Sequence, residues 1–148
     1  MLINAQVIDW NNFNEKTLNE VTFRILNEYT SLEGGYSLLY SGKLPEIYRC
    51  IKKNNEILPM DSISVKINVE VLVKSKYNTP TGFPVGILDS ISGIDIQTFE
   101  ELADRCITDW IGSPSDAFFL VGWRKVVGVT SFFNKRTKTV YISVVFKS

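Results

Sequence analysis

From Ile63 to Val73 every odd position is Ile or Val (Ile63, Val65, Ile67, Val69, Val71, Val73), and the even positions are Ser64, Lys66, Asn68, Glu70 and Leu72, with Lys74 next. Alternation of this kind sends successive side chains to opposite faces of a pleated strand, and β-branched residues suit that surface. The run predicts a long strand with one buried and one wet face. Such a strand would belong to a sheet whose apolar side is covered.

The surrounding sequence supplies the cover. Residues 12–32 read as an amphipathic helix, with Asn12 as cap, Glu15 three places on, and Leu18, Val21, Ile25, Leu26 and Tyr29 at helical spacing before Gly34 and Gly35 end it. A second helix begins with the capping pair Thr98 and Glu101. Its stripe is Phe99, Leu102, Ala103, Cys106, Ile107 and Trp110, and Gly112 and Pro114 stop it. Shorter strands are expected at Tyr36–Tyr40, Ile47–Ile51, Ala117–Val121, Lys125–Phe133 and Lys138–Lys147, the last two joined by the turn Asn134–Thr137. Between Tyr77 and Ile94, Pro80, Gly82, Pro84, Gly86 and Gly93 predict a long loop. Its apolar Phe83, Val85 and Ile87 either close over their own core or form an arm on a neighbouring subunit. The expected architecture is a single α+β domain over residues 1–148, a mainly antiparallel sheet with two amphipathic helices packed on one face.

Charge along this order is segregated. The formal net charge is zero, yet residues 117–148 hold six basic side chains and no acidic one. Residues 89–116 hold seven acidic side chains against Arg105 alone. Opposed fields on one chain can draw copies together, or present a basic surface to nucleic acid.

Several function classes are excluded. With no histidine, the chain has no Ser-His-Asp or Cys-His pair and lacks the commonest transition-metal ligand. Ser41, Gly42 and Lys43 resemble the end of a phosphate loop, but Ser37 and Leu44 stand where that loop needs Gly and Ser or Thr. No apolar run is long enough to cross a bilayer and no secretory start is seen, so the chain is expected on the cytosolic side of any membrane. Cys50 and Cys106 sit in apolar patterns and are expected as reduced thiols. No cofactor or metal is implied.

Three groups invite a functional reading. Glu100, Glu101 and Asp104 favour the positive end of a helix dipole, which alone accounts for them, and Asp109 can join an interface. Lys135, Arg136 and Lys138 lie beside Phe132, Phe133 and Tyr141. They read first as a solvated turn, next as an intersubunit contact, and then as a nucleic-acid surface. Trp110 belongs to the helix stripe, Trp123 follows Gly122 at a strand break, and Trp10 docks either on its own domain or on another chain.

The first helix (Leu18, Val21, Ile25, Tyr29), the alternating run Ile63–Val73, the helix Thr98–Trp110 and the closing strand Thr139–Lys147 together resemble the tail-completion, or tail-terminator, proteins of tailed bacteriophages, and more loosely the head-tail joining proteins. The resemblance implies a non-enzymatic virion protein assembled in the host cytoplasm. It implies a homo-oligomeric ring that joins tail to head, with tail-tube or connector proteins as further partners and DNA as a non-specific contact. The interface residues expected are Glu100, Glu101, Asp104 and Asp109, the loop residues Phe83, Val85 and Ile87, and Lys135, Arg136 and Lys138. The alternative reading is a small nucleic-acid-binding or regulatory module using Lys135, Arg136 and Lys138.

Overall fold

The computed structural model of the chain describes residues 6–29, 37–38, 44–56, 62–77, 85–92, 95–114, 120 and 125–147. Among them, the elements run α1 (Glu15–Tyr29), β1 (Ser37–Leu38), α2 (Pro45–Glu56), α3 (Ser62–Tyr77), β2 (Val85–Ser92), α4 (Phe99–Gly112), β3 (Lys125–Asn134) and β4 (Thr139–Lys147). The sheet order is β1-β3-β4-β2. β4 pairs antiparallel with β2 and β3, and β1 adds a short parallel pairing to β3. The fold class is α+β with a mainly antiparallel sheet, as expected.

Both faces of the sheet are buried. Val140, Ile142, Val144 and Phe146 of β4 join a core with α1 and α4, whereas Tyr141 and Val145 join a second core with α2 and α3. The two helices legible in the sequence, α1 and α4, do pack on one face. A second pair covers the other.

That second pair corrects two expectations. Residues 63–73 are not a strand but most of α3, and Ile47–Ile51 lies within α2. Period two contains period four, so every second member of the alternating run falls on one helical stripe. Val65, Val69 and Val73 are buried on that stripe, while Ile63, Ile67 and Val71 face outward. The buried stripe seats against β2, where a Cβ at Gly86 would come within 2.8 Å of Val73 Cγ2. Ile47, Ile51 and Asn55 make the same i, i+4, i+8 stripe on α2. Pro45 opens that helix at the position where its missing N–H costs nothing. Tertiary packing thus outweighs the β-propensity of the side chains.

The loop expected over 77–94 is also corrected, because residues 85–92 form β2 with eight register partners on β4. Ile87, Leu88 and Ile91 are core residues of this chain rather than an arm. The strand expected over Ala117–Val121 and Trp123 lies outside the described residues apart from Leu120, and Tyr36–Tyr40 is described only at Ser37–Leu38.

Of the two expected helix caps, one is found where the sequence places it and the other is shifted. Thr98 Oγ1 accepts from the Glu101 amide at 3.1 Å, as a helix cap should. The cap of α1 is Asn14 rather than Asn12, its Oδ1 accepting from the Thr17 amide at 3.1 Å. The amino-terminal segment docks on its own domain: the Ile8 amide donates to Gln97 O, the Phe99 amide to Gln6 O, and Trp10 Nε1 to Ile96 O. Trp10, Phe13, Phe99 and Phe133 form a chain of aromatic contacts beneath it. Both cysteines are free, Cys106 buried and Cys50 half-buried.

Candidate functional site

α1 and α4 pack side by side and leave a groove of about 570 Å³ between them. Arg24, Ile25, Glu28 and Tyr29 line one wall, and Thr98, Glu100, Glu101 and Asp104 line the other. Four carboxylates face one guanidinium, and that guanidinium is engaged: Arg24 Nη2 lies 2.8 Å from Glu100 Oε2. Glu100 Oε1 takes the Gln6 amide at 2.9 Å. Burial pushes the Glu100 carboxyl up, but the Gln6 amide and Arg24 outweigh it and hold the group below its ordinary value. At the rim the Tyr29 hydroxyl donates to Asp104 Oδ1 at 2.6 Å, a bond that holds the phenol above its ordinary value. The exposed carboxylates Glu28, Glu101 and Asp104 therefore set the sign of the groove.

The expected interface residues divide accordingly. Glu101 and Asp104 are exposed in the groove, but Glu100 is only 3% exposed and belongs to its floor. The wet face expected for the first turn of α4 is thus partly an internal anchor. Asp109 lies elsewhere on α4, where it faces Asp89 of β2. Burial, then the Asp109 carboxyl, raises Asp89 to about 7, and the neighbouring Cys106 thiol is pushed up by burial and by both aspartates. Ile87 is 1% exposed and cannot meet another subunit. Val85 is described only by its backbone pairing to Phe146, and Phe83 lies outside the described residues.

The basic turn between β3 and β4 is exposed at Lys135, Arg136 and Lys138. Asn134 Oδ1 shapes it by accepting the amides of Arg136 and Thr137 at 3.0 and 3.2 Å, and Lys138 closes it with φ of 55°. Arg136 reaches back to the Asn55 carbonyl at 3.4 Å, which leaves Lys135 and Lys138 as the outward charges of the turn. The aromatic side chains nearby face inward: Phe133 packs with Trp10 and Phe13, and Phe132 with Tyr48. They are not platforms for bases.

Among the described residues no three Cys, Asp or Glu side chains converge as metal ligands, and no helix is long and apolar enough to cross a membrane. Sequence reasoning missed Glu28 and Arg24 of the groove and the Asp89–Asp109 pair. Arg24 and Glu100 are 76 positions apart, and nothing local marks them as partners.

Compared by sequence, the chain matches no protein-family model and no curated protein. Compared by structure, it is similar to the CAP domain of enterococcal PrgA, with a TM-score of 0.52 at 13% identity over 97% of this chain. The chain spans 66% of that one, and the likeness is one of fold alone.

Proposed function

We propose that the protein is a non-enzymatic assembly component whose copies join by seating the basic β3–β4 turn of one in the acidic α1–α4 groove of the next. The observation that carries this reading is the pairing of shapes and signs on one chain: a groove with Glu28, Glu101 and Asp104 outward, and a protruding turn with Lys135 and Lys138 outward. Such a contact is heterologous, and repeated around an axis it closes a ring. Opposite charges on the two surfaces steer the encounter and fix its register. The resemblance to tail-completion proteins supplies a setting, a ring at the head-proximal end of a phage tail. Of the features behind that resemblance, α1, α4 and the closing strand are present, while residues 63–73 are helical.

Charge exchange tests the reading. Lys135→Glu with Lys138→Glu should lower the mass measured by sedimentation, and Glu101→Lys with Asp104→Lys should do the same. Mixing the two variants should restore association, because each then offers the surface that the other needs. A wild-type protein that stays monomeric at millimolar concentration, or a mixture no larger than its parts, would refute it.

A further inference from the structure

α3 carries a second apolar stripe that neither core uses. Ile63, Ile67 and Val71 are 71%, 53% and 63% exposed, one above another at i, i+4 and i+8, on the side of the helix away from Val65, Val69 and Val73. Three large β-branched side chains in one row are unlike the scattered exposed hydrophobics of ordinary surfaces. We propose that α3 pairs antiparallel with α3 of a second copy of this chain through Ile63, Ile67 and Val71.

The flanks of the stripe identify the partner and the direction. Lys66 and Glu70 each precede a stripe residue by one place, so both lie along the same flank and both are half-exposed, with the exposed Lys74 one turn further along that row, beyond the stretch that a pair centred near Ile67 brings together. Ser64, Asn68 and Leu72, each one place after a stripe residue, lie along the other flank and carry no charge, and Asn68 there bonds to Asn54 of α2 at 3.3 Å. In an antiparallel pair related by a two-fold axis near Ile67, each flank faces the same flank of the other copy. Lys66 then meets Glu70 of the second copy, and Glu70 meets its Lys66. Parallel pairing would set the charged flank against the neutral one. The contact is therefore self-complementary in one orientation, as an isologous interface requires.

Its strength follows from its area. The three side chains contribute on the order of 100 Å² each, against about 800 Å² per partner in a standard stable interface. The pairing is weak and depends on concentration. It does not involve the groove or the basic turn, and it would join two groove-linked assemblies back to back.

Cysteine cross-linking of the full chain tests both partner and direction. Under mild oxidation Ile67→Cys should give a covalent dimer, and Ile63→Cys should cross-link to Val71→Cys when the two are mixed but not to itself. The wild type, whose Cys106 is buried and Cys50 half-buried, sets the background. Glu70→Lys should weaken dimerisation at least tenfold in sedimentation equilibrium, and adding Lys66→Glu to it should restore the wild-type constant while helix content is unchanged throughout. A covalent dimer of Ile63→Cys with itself, an Ile67→Cys yield at the wild-type background, or a charge-swapped double variant no better than the single one would overturn the proposal. The groove and turn variants leave these results unchanged if the proposal holds, so the two contacts fail or succeed separately.

Discussion

Arg24 and Glu100 meet at 2.8 Å across α1 and α4, and the second oxygen of Glu100 holds the amide of Gln6. One buried carboxylate thus ties together a helix, its neighbour and the amino-terminal segment. Glu100→Ala removes both bonds and leaves an amide and a guanidinium to find water, which should cost about 1–3 kcal/mol by urea denaturation, discounted because Arg24 is half in solvent. The carboxyl titrates below its ordinary value in the fold, so its contribution is present above the unfolded value and lost as pH falls through the folded one. The difference between wild type and Glu100→Gln should therefore shrink in acid. A constant difference from pH 7 to pH 3 would show that the charge of Glu100 is immaterial.

Asp89 gives the opposite slope. Its carboxyl is held at about 7 in the fold by burial and by Asp109, while the unfolded group titrates near 3.8. Between those values the folded state holds a proton that the unfolded state does not, so stability is full below the lower value and declines as pH rises toward the higher one. The expected decline is about 1–3 kcal/mol between pH 4 and pH 8, less than full burial would produce. Asp89→Asn should flatten this part of the curve in thermal unfolding. An unaltered slope in that variant would place the titration elsewhere.

Gly128 sits at the bulge of β3, where a Cβ would come within 2.7 Å of Leu44 Cδ2 and 2.8 Å of Leu44 Cγ. Leu44 is fixed, since its amide donates to Thr130 Oγ1 at 2.8 Å and it leads directly into α2. Gly128→Ala should therefore destabilise the protein by about 1–3 kcal/mol through overpacking. Leu44→Ala, costly alone, should become less costly in the Gly128→Ala background. Strict additivity in this double-mutant cycle would rule out the contact.

The two stripes of α3 give a test that a strand would fail. Val69→Ala should cost about 1–3 kcal/mol because it opens a cavity against β2. Ile67→Ala, measured in dilute solution, should change stability by no more than about 0.5 kcal/mol. Both are odd-numbered residues that a strand would place on one face, so equal costs would contradict the helix.

How much could be read from the sequence depended on whether one stripe or two had to be inferred. α1 and α4 were legible because each presents a single apolar face; the cap of α4 at Thr98 was legible too, whereas that of α1 lies at Asn14, two places past the expected Asn12. β3 and β4 were legible because two runs rich in Val, Ile and Phe, the second of them alternating, are separated by the turn residues Asn134–Thr137. α3 was not, because a helix apolar on two opposite sides reproduces the alternation of a strand. β2 was hidden by Gly86, which reads as a breaker but serves as the gap that lets Val73 approach. In the groove, Glu101 and Asp104 were visible as charges, but the burial of Glu100 depends on Arg24 and Gln6 arriving from far away in the chain.

β4 stands between β2 and β3 in the sheet, and its seven residues Val140–Phe146 are all buried. It is also the element that follows every other described one along the chain. During synthesis β2 therefore waits for its strand partner, and neither core is complete until residues 139–147 have left the ribosome. Before then α1 can meet α4 and α3 can meet α2 and β2, since all of these precede β4 along the chain. Until β4 arrives the apolar faces turned toward it stay uncovered, and the outer stripe of α3, Ile63, Ile67 and Val71, is exposed even in the finished fold.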